Sequence, residues 1–124
     1  MLKYLLLAAV VCAGLFAFMH NGNANNLVSY DDLQKELNAK AIVLVDVRTQ
    51  DKFNQGHIPG SILLPYDEVD KLAPAMLPDK AAKIIVYCRS GRRSAIAADA
   101  LRQLGYSDVR DFGGINRWQG SLEK

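Results

Sequence analysis

Two short apolar runs constrain this chain more than anything else in it: Ala41–Val47 (AIVLVDV) and Lys83–Tyr87 (KIIVY). Both are rich in β-branched residues, and neither alternates polar with apolar positions. A strand that faces water on one side alternates, whereas a strand that is apolar at successive positions is covered on both faces. Strand signals alternate with helix signals along the chain. A sheet covered on both sides, with helices between its strands, is a three-layer α/β domain with a mostly parallel central sheet flanked by helices.

The remaining segments fit that frame. Val28–Ala39 reads as a helix capped at Ser29, with Asp32 completing a capping box and Val28 and Leu33 at staple spacing. Leu33 and Leu37 give its i, i+4 stripe. A short helix is expected over Thr49–Asn54, stopped near Gly56. GHIPGSILLP holds turns around a small strand, Ser61–Leu64. Tyr66–Leu72 reads as helix and PAMLPDK as loop. Ser94–Leu104 is expected to be helical, with Ala97, Leu101 and Leu104 on one face and Gly105 as its stop. Val109–Phe112 is a last strand, and GGINRWQG closes with a turn and a short helix around Trp118, which is expected in the core.

The N-terminus follows a different pattern. Met1–Lys3 carry positive charge, Tyr4–Met19 is an unbroken apolar run, and HNGNANN is small and polar. That order is the signature of a secretory leader, with cleavage placed after Ala24. Residues 1–24 are then a signal peptide and residues 25–124 the folded domain, exported to a periplasmic or secreted location. The rival is an uncleaved membrane anchor. Its apolar run has sixteen residues, fewer than the roughly 20 of a spanning helix. A lipoprotein cysteine at Cys12 is disfavoured by the bulky Val11 before it.

Cleavage would remove one lysine and one of the two cysteines, leaving a net charge of 14 − 13 = +1. That is no nucleic-acid-binding profile. Cys88 would become the only cysteine of an exported protein, where an idle exposed thiol is a liability.

Cys88 opens the stretch CRSGRRSA. The chain leaves a strand, turns through Gly91 and enters a helix near Ser94. Such a turn tends to aim backbone N–H groups inward as an anion nest. The helix start adds unpaired N–H groups and a positive dipole end. Arg89, Arg92 and Arg93 add fixed charge. Each of these favours a thiolate over a thiol and attracts an anionic substrate. The competing reading is a small buried core thiol, common for a lone cysteine. Arg89 is the arginine most readily explained as solvated surface. In parallel sheets ligands bind outside the carboxyl ends of the strands, where Cys88 lies at one end and Asp46 and Arg48 at another.

Other chemistries lack their residues. No CxxC pair is present, so a dithiol mechanism is excluded. His57 would be the one histidine left after cleavage, too few for a histidine-rich metal site, and no metal is expected. A Cys–His protease pair would need His57, which sits in a Gly/Pro turn and reads as a structural residue. No phosphate loop or dinucleotide fingerprint calls for a cofactor.

Four segments together resemble a known family. VDVRTQDKF, GHIPGS, CRSGRRS and GGINRWQG are similar, in that order, to the conserved elements of single-domain rhodaneses, the thiosulfate sulfurtransferases. They cover about Val43 to Gly120. The resemblance implies the rhodanese-like fold and a two-step reaction. Cys88 would take the outer sulfur of thiosulfate as a persulfide, release sulfite, and pass the sulfur to cyanide or a thiol. It implies that Arg93 supports the loop and holds the anion, with Arg89 and Arg92 as further contacts. Ser90 and Gly91 belong to the same binding loop. Ser94 would cap the helix and donate to the sulfur, and Asp46 and Arg48 would brace the loops. An alternative of a different class is a sulfur-carrier module that receives its persulfide from a protein donor. Phosphatases and arsenate reductases of similar fold place an arginine six positions after the cysteine. Here that position is Ser94, so their oxyanion clamp is missing. The small size leans to a monomer, with no nucleic-acid partner.

Overall fold

A computed structural model describes residues 26–124. The expected leader, with Cys12 and His20, lies outside the described residues. Four strands form one sheet: β1 (Val43–Asp46), β2 (Ile62–Leu63), β3 (Lys83–Cys88) and β4 (Asp108–Gly114). Their order is β2-β1-β3-β4, and every pairing is parallel. The chain places β2 on one side of β1, then returns to place β3 and β4 on the other. This reversal opens a crevice outside the carboxyl ends of β1 and β3.

The two unalternating runs are buried on both faces. Along β3, Ile84, Val86 and Cys88 join one apolar cluster, whereas Ile85 and Tyr87 join the other. On the first face lie α3 (Val69–Met76) and α4 (Arg92–Gln103), which bury Val69, Ala73, Ala97, Ala98 and Leu101 against Val45, Val47 and Val86. On the second face α1 (Tyr30–Asn38) inserts Leu33 among Leu44, Ile85, Tyr87 and Phe112. Full burial of a leucine such as Leu33 stabilises the fold by about 1.5–3 kcal/mol. The short α2 (Gln50–Gln55) buries no residue and links β1 to the GHIPGS turn.

Local signals act as their chemistry requires. Ser29 Oγ accepts the Asp32 N–H at 3.1 Å and caps α1. Thr49 Oγ1 accepts the Lys52 N–H at 3.4 Å at the start of α2. Tyr87 reaches across the second face: its hydroxyl accepts the Ile58 N–H at 3.0 Å and pairs with Ser61 Oγ at 2.9 Å. The GHIPGS turn is thereby tied to the centre of the sheet. Its other side is tied to the C-terminal tail, where His57 and Glu123 exchange two backbone hydrogen bonds of 2.9 Å. The His57 ring stacks on Phe53 and meets the Phe53 carbonyl at 2.9 Å through Nδ1, a structural assignment.

Three expectations need correction. The segment Tyr66–Leu72 divides into a 3₁₀ turn, η1 (Tyr66–Glu68), and α3, which runs through Pro74 to Met76. PAMLPDK is therefore loop only from Leu77. Val69, Ala73 and Leu77 are buried at i, i+4 spacing, and that apolar stripe outweighs the single bond to Asp70 that Pro74 cannot make. Helix α4 starts at Arg92, two residues before the expected Ser94, because Gly91 at φ +97° serves as its N-cap. Trp118 is half-buried at the margin of the second cluster, edge-on to Tyr30 at 5.2 Å. Its indole N–H donates to the Ser121 carbonyl at 3.1 Å, which keeps it at the surface. The glycines of GGINRWQG end β4, and a second 3₁₀ turn, η2 (Ile115–Arg117), follows them.

Candidate active site

Cys88 is the last residue of β3, at the crevice. The turn that follows folds back over it. The Gly91 N–H donates to Cys88 Sγ at 2.9 Å, and the Cys88 thiol points to Ser94 Oγ at 3.4 Å. Ser94 Oγ donates in turn to the Gly91 carbonyl at 3.0 Å. Ser94 is thus not the helix cap; it is the third residue of α4, fully buried, and bridges the sulfur and the turn. The expected nest of several N–H groups is a single one, from Gly91, at the sulfur. The first-turn N–H groups of Arg92, Arg93 and Ser94 add the unpaired, positive end of α4 beside it.

The loop is exposed while its sulfur is not. Arg89, Ser90, Arg92 and Arg93 face solvent, yet Cys88 is 0% exposed and sits in the first core cluster. It carries both features weighed in the sequence: a core position and a charged surround. Among the described residues, ion pairs involve Arg48, Arg102 and Arg110, and none involves Arg89, Arg92 or Arg93. The loop and the first turn of α4 thus carry three exposed cations without a carboxylate partner among the described residues. Arg93 lies with its guanidinium carbon 4.7 Å from the ring centre of Tyr66. Nothing in the sequence marks Tyr66 as more than the start of a helix.

Behind the loop stands the Gly113–Gly114 pair, and its composition has a steric cause. A Cβ on Gly114 would lie 2.6 Å from the Arg89 carbonyl oxygen and 2.5 Å from Asn116 Oδ1. Gly114 is also the register partner of Cys88 across the sheet. Only glycine lets β4 approach the loop this closely. Gly113, at φ +91°, occupies the left-handed region that suits glycine. Its N–H donates to Asp111 Oδ1 at 2.8 Å. Burial pushes the Asp111 carboxyl above the usual range, although the Ser94 hydroxyl, the Gly113 N–H, Arg102 and Arg117 all favour its charge. Asp111 was not marked by any sequence signal.

Asp46 and Arg48 form a buried two-pronged ion pair beside this centre. Arg48 Nε donates to Asp46 Oδ1 at 2.9 Å, and Nη2 donates to Oδ2 at 2.6 Å. The same Nη2 also donates to the Gly56 carbonyl at 2.7 Å. The pair therefore joins the end of β1 to the turn before His57. Burial, and then the Asp46 carboxylate, push the Tyr87 phenol well above its ordinary value, so it stays neutral.

The domain that carries this buried sulfur has counterparts among known proteins. Residues 29–121 match the Rhodanese-like domain family. The chain belongs to that family. This rhodanese-like domain is 37% identical over 71 residues to the thiosulfate sulfurtransferase PspE of Escherichia coli, covering 57% of this chain and 68% of that protein. It is 32% identical over 112 residues to the thiosulfate:glutathione sulfurtransferase of Saccharomyces cerevisiae, covering 77% of this chain and 81% of that one. Among solved structures, a rhodanese with anions from E. coli superposes with a TM-score of 0.64 at 33% identity. That match covers 68% of this chain and 99% of the other. The rhodanese fold and membership of the sulfurtransferase family are therefore established.

Proposed function

We propose that this rhodanese-like domain is an exported thiosulfate sulfurtransferase that works through a persulfide on Cys88. The observation that carries the reading is the contact of the Gly91 N–H with Cys88 Sγ, in a loop and helix start whose three exposed arginines have no carboxylate partner among the described residues. The Cys88 thiolate attacks the outer sulfur of thiosulfate. An S–S bond forms to Cys88, the bond to the sulfonate sulfur breaks, and sulfite leaves with that electron pair. The enzyme then carries a persulfide anion. A nucleophile, cyanide or a thiolate, attacks the outer sulfur and restores the Cys88 thiolate. In each step the negative charge on sulfur faces the Gly91 N–H and the α4 dipole, and the Ser94 hydroxyl turns its proton from the Gly91 carbonyl to the sulfur. Arg93 holds the sulfonate oxygens, with Arg89 and Arg92 contributing field. Ser90 shapes the turn, and Asp46 with Arg48 braces the end of β1 against the turn before His57.

Thiosulfate-dependent thiocyanate production tests this reading. It is expected in the wild type and lost in Cys88→Ser at unchanged fold; turnover in that variant would sink the assignment. Export rests on the order of charged, apolar and small polar residues over positions 1–26. N-terminal sequencing of the protein from its own compartment is expected to begin at Asn25; a start at Met1 would make the segment an anchor. Size-exclusion with light scattering is expected to give a monomer, and a dimer mass would contradict it.

One observation favours a second reading. Cys88 has no exposed surface, so a small donor reaches it only when the loop Arg89–Gly91 yields. A protein donor that displaces the loop on docking would make the domain a sulfur carrier. Persulfide formation that requires such a donor, and fails with thiosulfate alone, would select this reading.

A further inference from the structure

The stacking of Arg93 on Tyr66 is explained neither by the core nor by the ion-pair pattern. Tyr66 is the first residue of η1, three residues beyond the end of β2. Its N–H donates to the Val47 carbonyl at 3.0 Å, which fixes it at the carboxyl end of β1. Tyr66 is half-buried and packs on the same cluster that contains Cys88. The Arg93 guanidinium carbon lies over its ring, 4.7 Å from the centre. Arg93 is otherwise exposed and unpaired by any carboxylate among the described residues.

An unsupported arginine on the first turn of a helix samples many rotamers, and ordering it on binding costs free energy. Stacking on an aromatic face removes much of that freedom. It occupies the flat side of the guanidinium and leaves the N–H edge available, the edge that forks onto the oxygens of a sulfonate, phosphate or carboxylate. The first turn of α4, which follows the Cys88 loop, therefore holds a pre-ordered cation.

We propose that Tyr66 is a positioning residue for the anionic sulfur donor: its ring holds Arg93 so that the guanidinium edge meets the donor's sulfonate group. The assignment rests on the sulfurtransferase reading above, and it adds a determinant of donor choice that lies outside the Cys88 loop. It makes the domain selective for donors that carry an anionic sulfonate-like group, released as sulfite, next to the sulfur that is transferred. A neutral or cationic persulfide donor gains nothing from the pair.

Two substitutions separate the ring's electrostatics from its packing. Tyr66→Phe keeps the aromatic face. Tyr66→Leu keeps apolar packing on the core and removes it. Removal of a cation–π contact at a partly exposed site is expected to raise the thiosulfate KM about two- to fivefold. That rise is expected in Tyr66→Leu and absent in Tyr66→Phe, with kcat unchanged in both. In an Arg93→Gln background the Leu substitution is expected to add nothing further. A merely structural role would lower thermal stability and kcat without the KM-selective change. Equal KM values for Tyr66→Leu and wild type would overturn the assignment.

A second readout is independent of turnover. Thiosulfate is titrated into Cys88→Ser protein, with and without Tyr66→Leu, and binding is followed by amide chemical shifts. The same two- to fivefold weakening, about as large as the KM effect, is expected. Should the wild type prove unable to accept sulfur from thiosulfate, the catalytic reading fails. Weaker binding in the Leu variant would still sustain the anion subsite, and identical binding would remove it.

Discussion

Gly114→Ala probes whether the close approach of β4 to the Cys88 loop is what sets the loop's geometry. The added Cβ would lie 2.6 Å from the Arg89 carbonyl oxygen, where contacts below 3.0 Å essentially never occur, so the two must separate by at least 3.0 − 2.6 = 0.4 Å. The 2.5 Å contact with Asn116 Oδ1 is relieved by a side-chain rotation, because Asn116 is exposed. The carbonyl belongs to backbone and cannot turn away so cheaply. Gly114 has φ −85°, so alanine meets no dihedral strain there, and the cost is steric alone. Overpacking of this kind costs about 1–3 kcal/mol, which lowers the melting temperature of a domain this size by about 5–20 °C. The displaced carbonyl is one residue from Cys88. A shift of this size at a reacting centre is expected to slow persulfide formation by about tenfold. Gly105→Ala serves as the comparator. At φ +101° it meets no atom within 4 Å, and its left-handed strain costs about 1–2 kcal/mol. The two variants should melt at comparable temperatures. Persulfide formation, timed by intact mass at a temperature where both are folded by circular dichroism, should be slow only in Gly114→Ala. Equal rates in the two variants would refute the reasoning.

Two further outcomes follow from the buried charges. Asp46 is 0% exposed, and among the described residues its only cationic partner is Arg48; Arg48→Met is expected to cost about 3–5 kcal/mol in urea denaturation by leaving that carboxylate unpaired, and the double variant Asp46→Leu/Arg48→Met should recover most of it. Burial raises the Asp111 carboxyl above its ordinary 3.8, so its contribution to stability is complete below that pH and is lost as the pH rises through the folded value. Asp111→Asn, which cannot ionise, should therefore be more stable than wild type at pH 7, with the advantage vanishing on acidification toward the ordinary carboxyl value; an advantage that persists at low pH would contradict the assigned cause.

Much of the fold was readable because its causes are local. The unalternating runs at β1 and β3 required burial on both faces, and Ser29 and Thr49 marked helix starts through contacts three residues away. The passage of CRSGRRSA from strand through a Gly91 turn into helix was readable for the same reason. What escaped depends on residues distant in sequence. Pro74 reads as a helix breaker until Val69, Ala73 and Leu77 are seen to share one buried stripe. Ser94 reads as a cap until Gly91 is seen in the left-handed conformation. The full burial of Cys88 follows from its place in the first core cluster, among residues such as Val45, Leu64 and Ala97 that come from other elements. Tyr66 and Asp111 reach the site only through tertiary packing, and no short motif encodes them.

The central claim is that Cys88 accepts a sulfur atom from thiosulfate. Intact mass of the purified domain, before and after thiosulfate and with Cys88→Ser alongside, tests it most directly. The account predicts a gain of one sulfur in the wild type, removed by cyanide and absent from the variant. A folded wild type that gains no mass, or a variant that gains it, would contradict the account.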